Sequence, residues 1–276
     1  MIKKMPIPRR LIQTAKTCQL SLKQRGFVSN LRLLNPDFEY RFFDDRAVEG
    51  FIDVEYPEYR ALFDAFPFRI QKYDFFRYLA VYRYGGFYFD LDVLLAAGLN
   101  PLLEHSCVFP FEGLGISRYL RAKHGMDWDL GNYAFGASAG HPFLGAIIEN
   151  CVRAQRDAEW VTPMMHGVPF LSREQFYVLN STGPGLVSRT FAEDPESAAD
   201  VSILFPEDVC DPDTWNRFGE YGTHMHEGSW RDKQSFIRRK LADYFELRVF
   251  RQMRAQSVRL GKTRRLSGKT TAAKPD

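Results

Sequence analysis

Pro8 to Lys16 (PRRLIQTAK) passes from apolar positions into a polar turn, which predicts a first strand. Glu39–Phe43 (EYRFF) alternates and stops at Asp44-Asp45, a second strand closed by acidic loop residues. Residues 18–34 between them hold enough Leu, Lys and Gln for a helix, and strand, helix, strand opens an α/β domain. Gln71–Tyr84 (QKYDFFRYLAVYRY) is the clearest helix. Its apolar residues cover most of the circumference, which predicts burial. Gly85-Gly86 ends it, since glycine tolerates the left-handed conformation of a helix stop, and Phe87–Phe89 then reads as a short central strand. Further on, Phe143–Val152 follows His141-Pro142 as a helix and Val201–Phe205 reads as a strand. Lys233 to about Met253 has the pattern of a long amphipathic helix, with Phe236, Ile237, Leu241, Tyr244, Phe245 and Leu247 on its apolar side. After Val258 the sequence is dominated by Lys, Arg, Ser, Thr and Gly and ends TTAAKPD, the pattern of a disordered end. No repeat and no Pro/Ser linker divides the body, so residues 1–250 are expected to form one domain and 251–276 a basic tail.

Composition sharpens this picture. Of 276 residues, 45% are hydrophobic and 15% aromatic, enough for a large core. The opening MIKKMPIPRRLIQ lacks the continuous apolar run of a secretory signal. No stretch approaches the roughly 18–20 apolar residues of a membrane span. Cys18, Cys107, Cys151 and Cys210 are scattered without a CxxC pair, so reduced, mostly buried thiols and a cytoplasmic location are expected. The net charge of +3 is unevenly placed: Arg231 to Asp276 hold fourteen Lys/Arg and four Asp/Glu, a net of +10, which leaves −7 on the first 230 residues. An acidic body with a basic tail is not the pattern of a nucleic-acid binder.

The run GGFYFDLDV (Gly85–Val93) carries the first chemistry. Aspartate is disfavoured in strands, and a buried charge is costly unless it is paired or bound to metal. Asp90 and Asp92 fall on one side of an extended chain, at the carboxyl edge where α/β sheets hold ligands. Two oxygen donors there suit a hard divalent cation, Mg²⁺ or Mn²⁺, with open positions for substrate phosphates. Such a pair is common by chance, and solvated carboxylates at a strand end would show it too. In the preceding helix Asp74 and Arg77 lie three apart and share a face among Phe75, Phe76, Tyr78 and Leu79. An ordinary ion pair would fit; an Arg aimed at a diphosphate and an Asp aimed at sugar hydroxyls would fit as well. Phosphatases with an aspartyl nucleophile also place DxD after an apolar strand. They carry DxDxT near the start of the chain, whereas Val93 and Leu94 follow Asp92 here.

KYDFFRYLAVYRYGGFYFDLDV resembles the DxD region of glycosyltransferase family 32. That family includes yeast-type initiating mannosyltransferases and bacterial capsule and lipopolysaccharide enzymes, and it is distantly similar to glucosylating toxin domains. IPRRLIQTAKT resembles the family opening, and NPDFEYRFFDD, NYAFGASAGHP, STGPG and HMHEGSW follow in family order, so the resemblance spans roughly residues 6–230. It implies a GT-A fold, a Rossmann-like mixed α/β sheet flanked by helices, and a metal-dependent, retaining transfer from a nucleotide-sugar donor to a glycan or lipid-linked acceptor in polysaccharide biosynthesis. By the same resemblance Asp90 and Asp92 hold the metal with His224, while His226 is its neighbouring alternative. Asp74, Arg77 and Asp90 contact the donor, and Ser229 and Trp230 lie on a loop that closes over the diphosphate. Asn132 suits a contact with the donor sugar, and a structural amide in a turn would fit it as well. Gln13 and Thr14 match the opening motif and offer donor contacts; Ile12 and Ala15 stand where the family has His and Trp, so the aromatic partner for the base is missing. No covalent nucleophile stands out, which favours front-face substitution. The basic segment with Arg248, Arg251, Arg254, Arg259, Lys262, Arg264 and Arg265 fits a peripheral contact with an anionic membrane, on its inner face, and a core-packing helix with a solvated, disordered end equally well. A non-catalytic sugar-nucleotide or glycan-binding module would share most of these features.

Overall fold

The structure, a computed structural model, describes residues 5–115 and 117–226. Ser229, Trp230, the helix expected at Lys233–Met253 and the basic tail lie outside the described residues. Along the described chain the strands are β1 (Arg10–Thr14), β2 (Glu39–Phe43), β3 (Gly86–Phe89), β4 (Val93–Leu95), β5 (Cys107–Leu114), β6 (Trp128–Leu130), β7 (Ala134–Ala137), β8 (Val201–Leu204) and β9 (Gly222–His224).

Strand β1 lies between β2 and β3 and is parallel to both. Helix Leu22–Leu33 makes the first crossover. It starts at a capping box in which Ser21 accepts from the Gln24 N–H and the Gln24 side chain accepts from the Ser21 N–H. Beyond β3 the sheet becomes antiparallel: β7 pairs with β3, β5 with β7, and β8 returns parallel to β5. Strands β6 and β7 both run antiparallel to β5, with residues 131–133 as a break between them and a register shift in the β5–β6 ladder. Strands β4 and β9 form a separate pair. This is the Rossmann-like mixed sheet with flanking helices that the resemblance implies.

Alternation along the strands splits the core into two layers. Ile12, Tyr88, Phe109 and Phe135 face helices Arg69–Tyr84 and Pro142–Arg156, while Leu11, Phe87, Phe89 and Val108 face Leu31, Phe38 and Phe218. Phe109 and Phe135 stack with ring centroids 4.9 Å apart. The two-glycine turn is required by geometry as well as by backbone freedom. Gly85 and Gly86 have φ of 65° and 111°, and a Cβ on Gly86 would lie 2.6 Å from the Arg10 carbonyl oxygen.

Boundaries shift modestly from expectation. The central helix starts at Arg69; the helix Pro142–Arg156 begins at its His141 cap with Pro142 in its first turn and runs past Val152 to Arg156, with Arg153 and Arg156 in its last turn. Of the four cysteines Cys107 and Cys151 are buried, but Cys18 is exposed and Cys210 half-buried, and none forms a disulfide. The expectation of mostly buried thiols therefore holds for the two on β5 and the Pro142–Arg156 helix. No helix among the described residues is long and apolar enough to cross a membrane.

Candidate active site

The chain leaves β1 toward β2 on one side and returns to β3 on the other, so the strand order reverses between β1 and β3. A crevice at such a reversal, outside the carboxyl ends of the strands, is where open α/β sheets bind ligands. Gln13 and Thr14 end β1 there, and Asp90 follows the last residue of β3.

Asp90 and Asp92 sit in the turn between β3 and β4, so strand alternation does not orient them; the turn does. The Asp90 N–H donates to the Tyr133 carbonyl at 2.7 Å, and the Val93 N–H closes the turn on the Asp90 carbonyl at 3.3 Å. The Asp90 carboxylate accepts from the Tyr88 hydroxyl at 2.7 Å. Pairing of Val93 with His224 in the β4–β9 ladder brings the imidazole to the same turn. His224 Nε2 lies 3.3 Å from Asp92 Oδ1, its ring stacks on Tyr133 at 4.4 Å, and the Met225 N–H donates to the Asp92 carbonyl at 2.9 Å. One ligand atom each of Asp90, Asp92 and His224 falls within 4.8 Å of the others. Two carboxylates and an imidazole so placed fit a divalent cation such as Mn²⁺ or Mg²⁺. His226 lies beside His224, ring to ring at 4.1 Å.

From the helix, Asp74 and Arg77 point inward and are almost fully buried. Arg77 Nη2 is 3.2 Å from Asp74 and 3.3 Å from Asp90, and Nη1 donates to the Asn132 carbonyl at 2.8 Å. Its guanidinium also lies over the Tyr88 ring at 4.7 Å. Both Asp74 oxygens are engaged within the protein, one by Asn132 Nδ2 at 3.2 Å and the other by the Thr182 hydroxyl at 2.9 Å. Asn132 also donates to the Tyr78 hydroxyl, which donates to the Thr182 carbonyl, each at 2.8 Å. The break between β6 and β7 frees the Asn132 backbone from the ladder and lets it join this network. In this structure the Asp74 carboxylate is thus shared among Arg77, Asn132 and Thr182. Gln13 donates to the Asp90 carbonyl at 3.4 Å and accepts from Tyr40, whereas the Thr14 hydroxyl is spent on the Phe43 carbonyl.

The site is electronegative. Burial pushes the Asp74 carboxyl up to about 6 and raises Asp90 as well, with Arg77 working against both shifts. Arg77 is desolvated too, but the negative charges of Asp90 and Asp74 outweigh that and hold it cationic. Burial also opposes charge on His224, yet the Asp92 hydrogen bond and nearby carboxylates raise its proton affinity overall. The Arg77 cation thus faces the Asp74 and Asp90 carboxyls, with Asp92 and the basic His224 beyond them.

Tyr78, Tyr88, Tyr133, Thr182 and Glu112 carry parts of this site that motif reading missed. Tyr88 was legible in principle, two residues before Asp90, and Thr182 lies in the STGPG stretch that matched the family order without a role. Glu112 on β5 had no local signal. Burial pushes its carboxyl up to about 7, against the opposing charge of His224. A carboxyl whose folded value exceeds its ordinary 4.5 binds its proton more tightly in the folded state. Its stabilising contribution is full below about pH 4.5 and is lost as pH rises through about 7. Glu112→Gln is therefore expected to raise the melting temperature at pH 8 by several degrees (roughly 1–3 kcal/mol), with the gain vanishing near pH 4.5, in thermal melts across that range.

Residues 22–109 match the family described as "Glycosyltransferase sugar-binding region containing DXD motif". Inositol phosphoceramide mannosyltransferase 3 of Schizosaccharomyces pombe is 30% identical over 207 residues, covering 73% of this chain and 51% of the relative. Mannosyl phosphorylinositol ceramide synthase CSH1 of Saccharomyces cerevisiae is 26% identical over 208 residues, covering 73% of this chain and 48% of the relative. The chain thus spans about half the length of these curated relatives. Among solved structures, PaToxG glycosyltransferase superposes with a TM-score of 0.47 at 16% identity, covering 70% of this chain and 72% of that one.

Proposed function

We propose, from the match of residues 22–109 to the glycosyltransferase sugar-binding region containing a DXD motif, that the chain moves a hexosyl group from a nucleotide-sugar donor to a glycan or lipid-linked hydroxyl. The observation that carries this reading is the convergence of Asp90, Asp92 and His224 with the buried Arg77 at the β1/β3 reversal.

In this reading Asp90, Asp92 and His224 hold Mn²⁺ or Mg²⁺. A divalent cation there supplies positive charge to a departing nucleoside diphosphate. The chain's own residues do the rest. Tyr88 and Arg77 fix the Asp90 carboxylate, and Asp74, Asn132 and Thr182 fix Arg77, so the charges are oriented before the donor arrives. Preorganised charge of this kind lowers the barrier without reorganisation during the reaction. Arg77 Nε, buried and without a partner, is a donor still available to a ligand. Substitution takes place on the front face of the sugar with retention of configuration.

The names of the relatives make a mannosyl donor the first to test. Thermal shift against GDP-mannose, UDP-glucose and the corresponding diphosphates, with and without Mn²⁺, is expected to show stabilisation that needs the metal. At a ligand concentration 100-fold above Kd that stabilisation is about 2.7 kcal/mol. No Mn²⁺-dependent shift with any of the four would remove this reading.

A further inference from the structure

Five buried side-chain atoms among the described residues have no hydrogen-bond partner: Arg77 Nε, Glu112 Oε2, His124 Nε2, Tyr133 Oη and His224 Nδ1. Folded proteins leave few such atoms, because each costs the desolvation of a polar group. Arg77 and His224 flank the Asp90–Asp92 turn and already have a role in the proposed metal–diphosphate site. Glu112 and Tyr133 have none, yet they stand beside it. The Tyr133 carbonyl accepts the Asp90 N–H, its ring stacks on His224, and Glu112 is near enough for the His224 and Asp90 charges to act on it.

Gly131 ties the two together. A Cβ at this position would lie 2.4 Å from Glu112 Oε2 and 2.7 Å from Cε1 of Tyr133, so only glycine leaves both groups in place. The Gly131 N–H is fixed on the Pro110 carbonyl at 2.9 Å, and Tyr133 is only 2% exposed. Both polar groups therefore stand on rigid backbone, at the break between β6 and β7 that also carries Asn132.

The chemistry narrows the ligand. A carboxyl accepts hydrogen bonds when ionised and also donates one when protonated, and a phenol donates one and accepts others. Glu112 has no basic partner and would repel phosphate, so the pair suits an uncharged, hydroxyl-rich group. In a nucleotide sugar, the hexose ring joined directly to the diphosphate is that group. Resting on the glycosyltransferase reading above, we propose that Glu112 and Tyr133 form a hydroxyl-binding subsite for the donor hexose, beside the diphosphate site.

The test compares wild type, Glu112→Gln and Tyr133→Phe by calorimetric titration in Mn²⁺, using GDP-mannose against GDP and UDP-glucose against UDP. Circular dichroism confirms that the variants are folded. Each variant is expected to bind the free diphosphate as wild type does and to lose about tenfold to a hundredfold in affinity for the sugar nucleotide that wild type prefers. Unchanged sugar-nucleotide affinity in both variants overturns the proposal. So does an equal loss for nucleotide and sugar nucleotide, which marks a merely structural role. Unchanged donor affinity with a raised KM for methyl α-mannoside as acceptor also overturns it, moving the subsite to the acceptor. Wild type that binds neither sugar nucleotide defeats the glycosyltransferase reading itself, a different result from any of these.

Discussion

Asp92→Asn is expected to lower sugar transfer by about a thousandfold while leaving the melting temperature within a few degrees of wild type. The substitution keeps the shape of the side chain and removes one negative charge from the trio Asp90, Asp92 and His224. Asparagine can still accept from His224 Nε2, 3.3 Å from Asp92 Oδ1, so the β4–β9 contact survives. The stability balance is small in both directions, because losing the Asp92–His224 pairing is offset by relief of repulsion between Asp90 and Asp92. Cation affinity has no such compensation, since one of two anionic oxygen ligands is gone. Titration with Mn²⁺ should therefore show weakened binding, and excess Mn²⁺ should recover part of the lost rate. Transfer within tenfold of wild type at low Mn²⁺ would show that Asp92 is not a ligand that matters.

Much of this site was legible because its residues sit at structural punctuation. The Gly85-Gly86 stop, the apolar Phe87–Phe89 strand and the aspartates just after it locate a sheet edge from one short stretch. The Asp74–Arg77 spacing gives a shared helix face, and the 3.2 Å contact between the two follows from it. The inward direction of the pair was harder to read, since it depends on Asn132 and Thr182 arriving from distant segments. Gln13 stands at the carboxyl end of β1 with its amide on the Asp90 carbonyl, whereas the Thr14 hydroxyl donates to the β2 backbone. Asp90 and Asp92 were placed together by an argument from strand alternation, whereas a turn held by Tyr133 does the work. Glu112 was illegible for a clear reason. Nothing near it in sequence marks a site, and its significance lies in a missing partner, which only three-dimensional packing reveals.

Glu112 and Arg77 illustrate opposite treatments of buried charge. Glu112 lacks a partner and is expected to cost stability at neutral pH, as residues kept for ligand contact often do. Arg77 is surrounded: two carboxylates, a backbone carbonyl and an aromatic face share its charge. The two substitutions should therefore move stability in opposite directions.

Arg77→Met is expected to destabilise the fold by about 3–5 kcal/mol and to abolish transfer. Methionine fills much of the same volume, so the loss reports charge more than cavity. Without the guanidinium, Asp74 and Asp90 face one another with no cation between them, and the Asn132 carbonyl loses its donor. The pH dependence identifies the cause. Asp74 already has its carboxyl raised to about 6 by burial with Arg77 opposing the shift, so removing Arg77 drives it higher. A carboxyl with a raised folded value favours the folded state at low pH and loses that contribution as pH rises, so the penalty in Arg77→Met should be smaller at pH 5 than at pH 8. Adding Asp74→Asn should then recover part of the loss, because it removes one of the two stranded charges, and the double-mutant cycle measures how much. If Arg77→Met melts like wild type at pH 8, the cation is not needed to hold the two carboxylates, and the arrangement proposed for the diphosphate site loses its electrostatic basis.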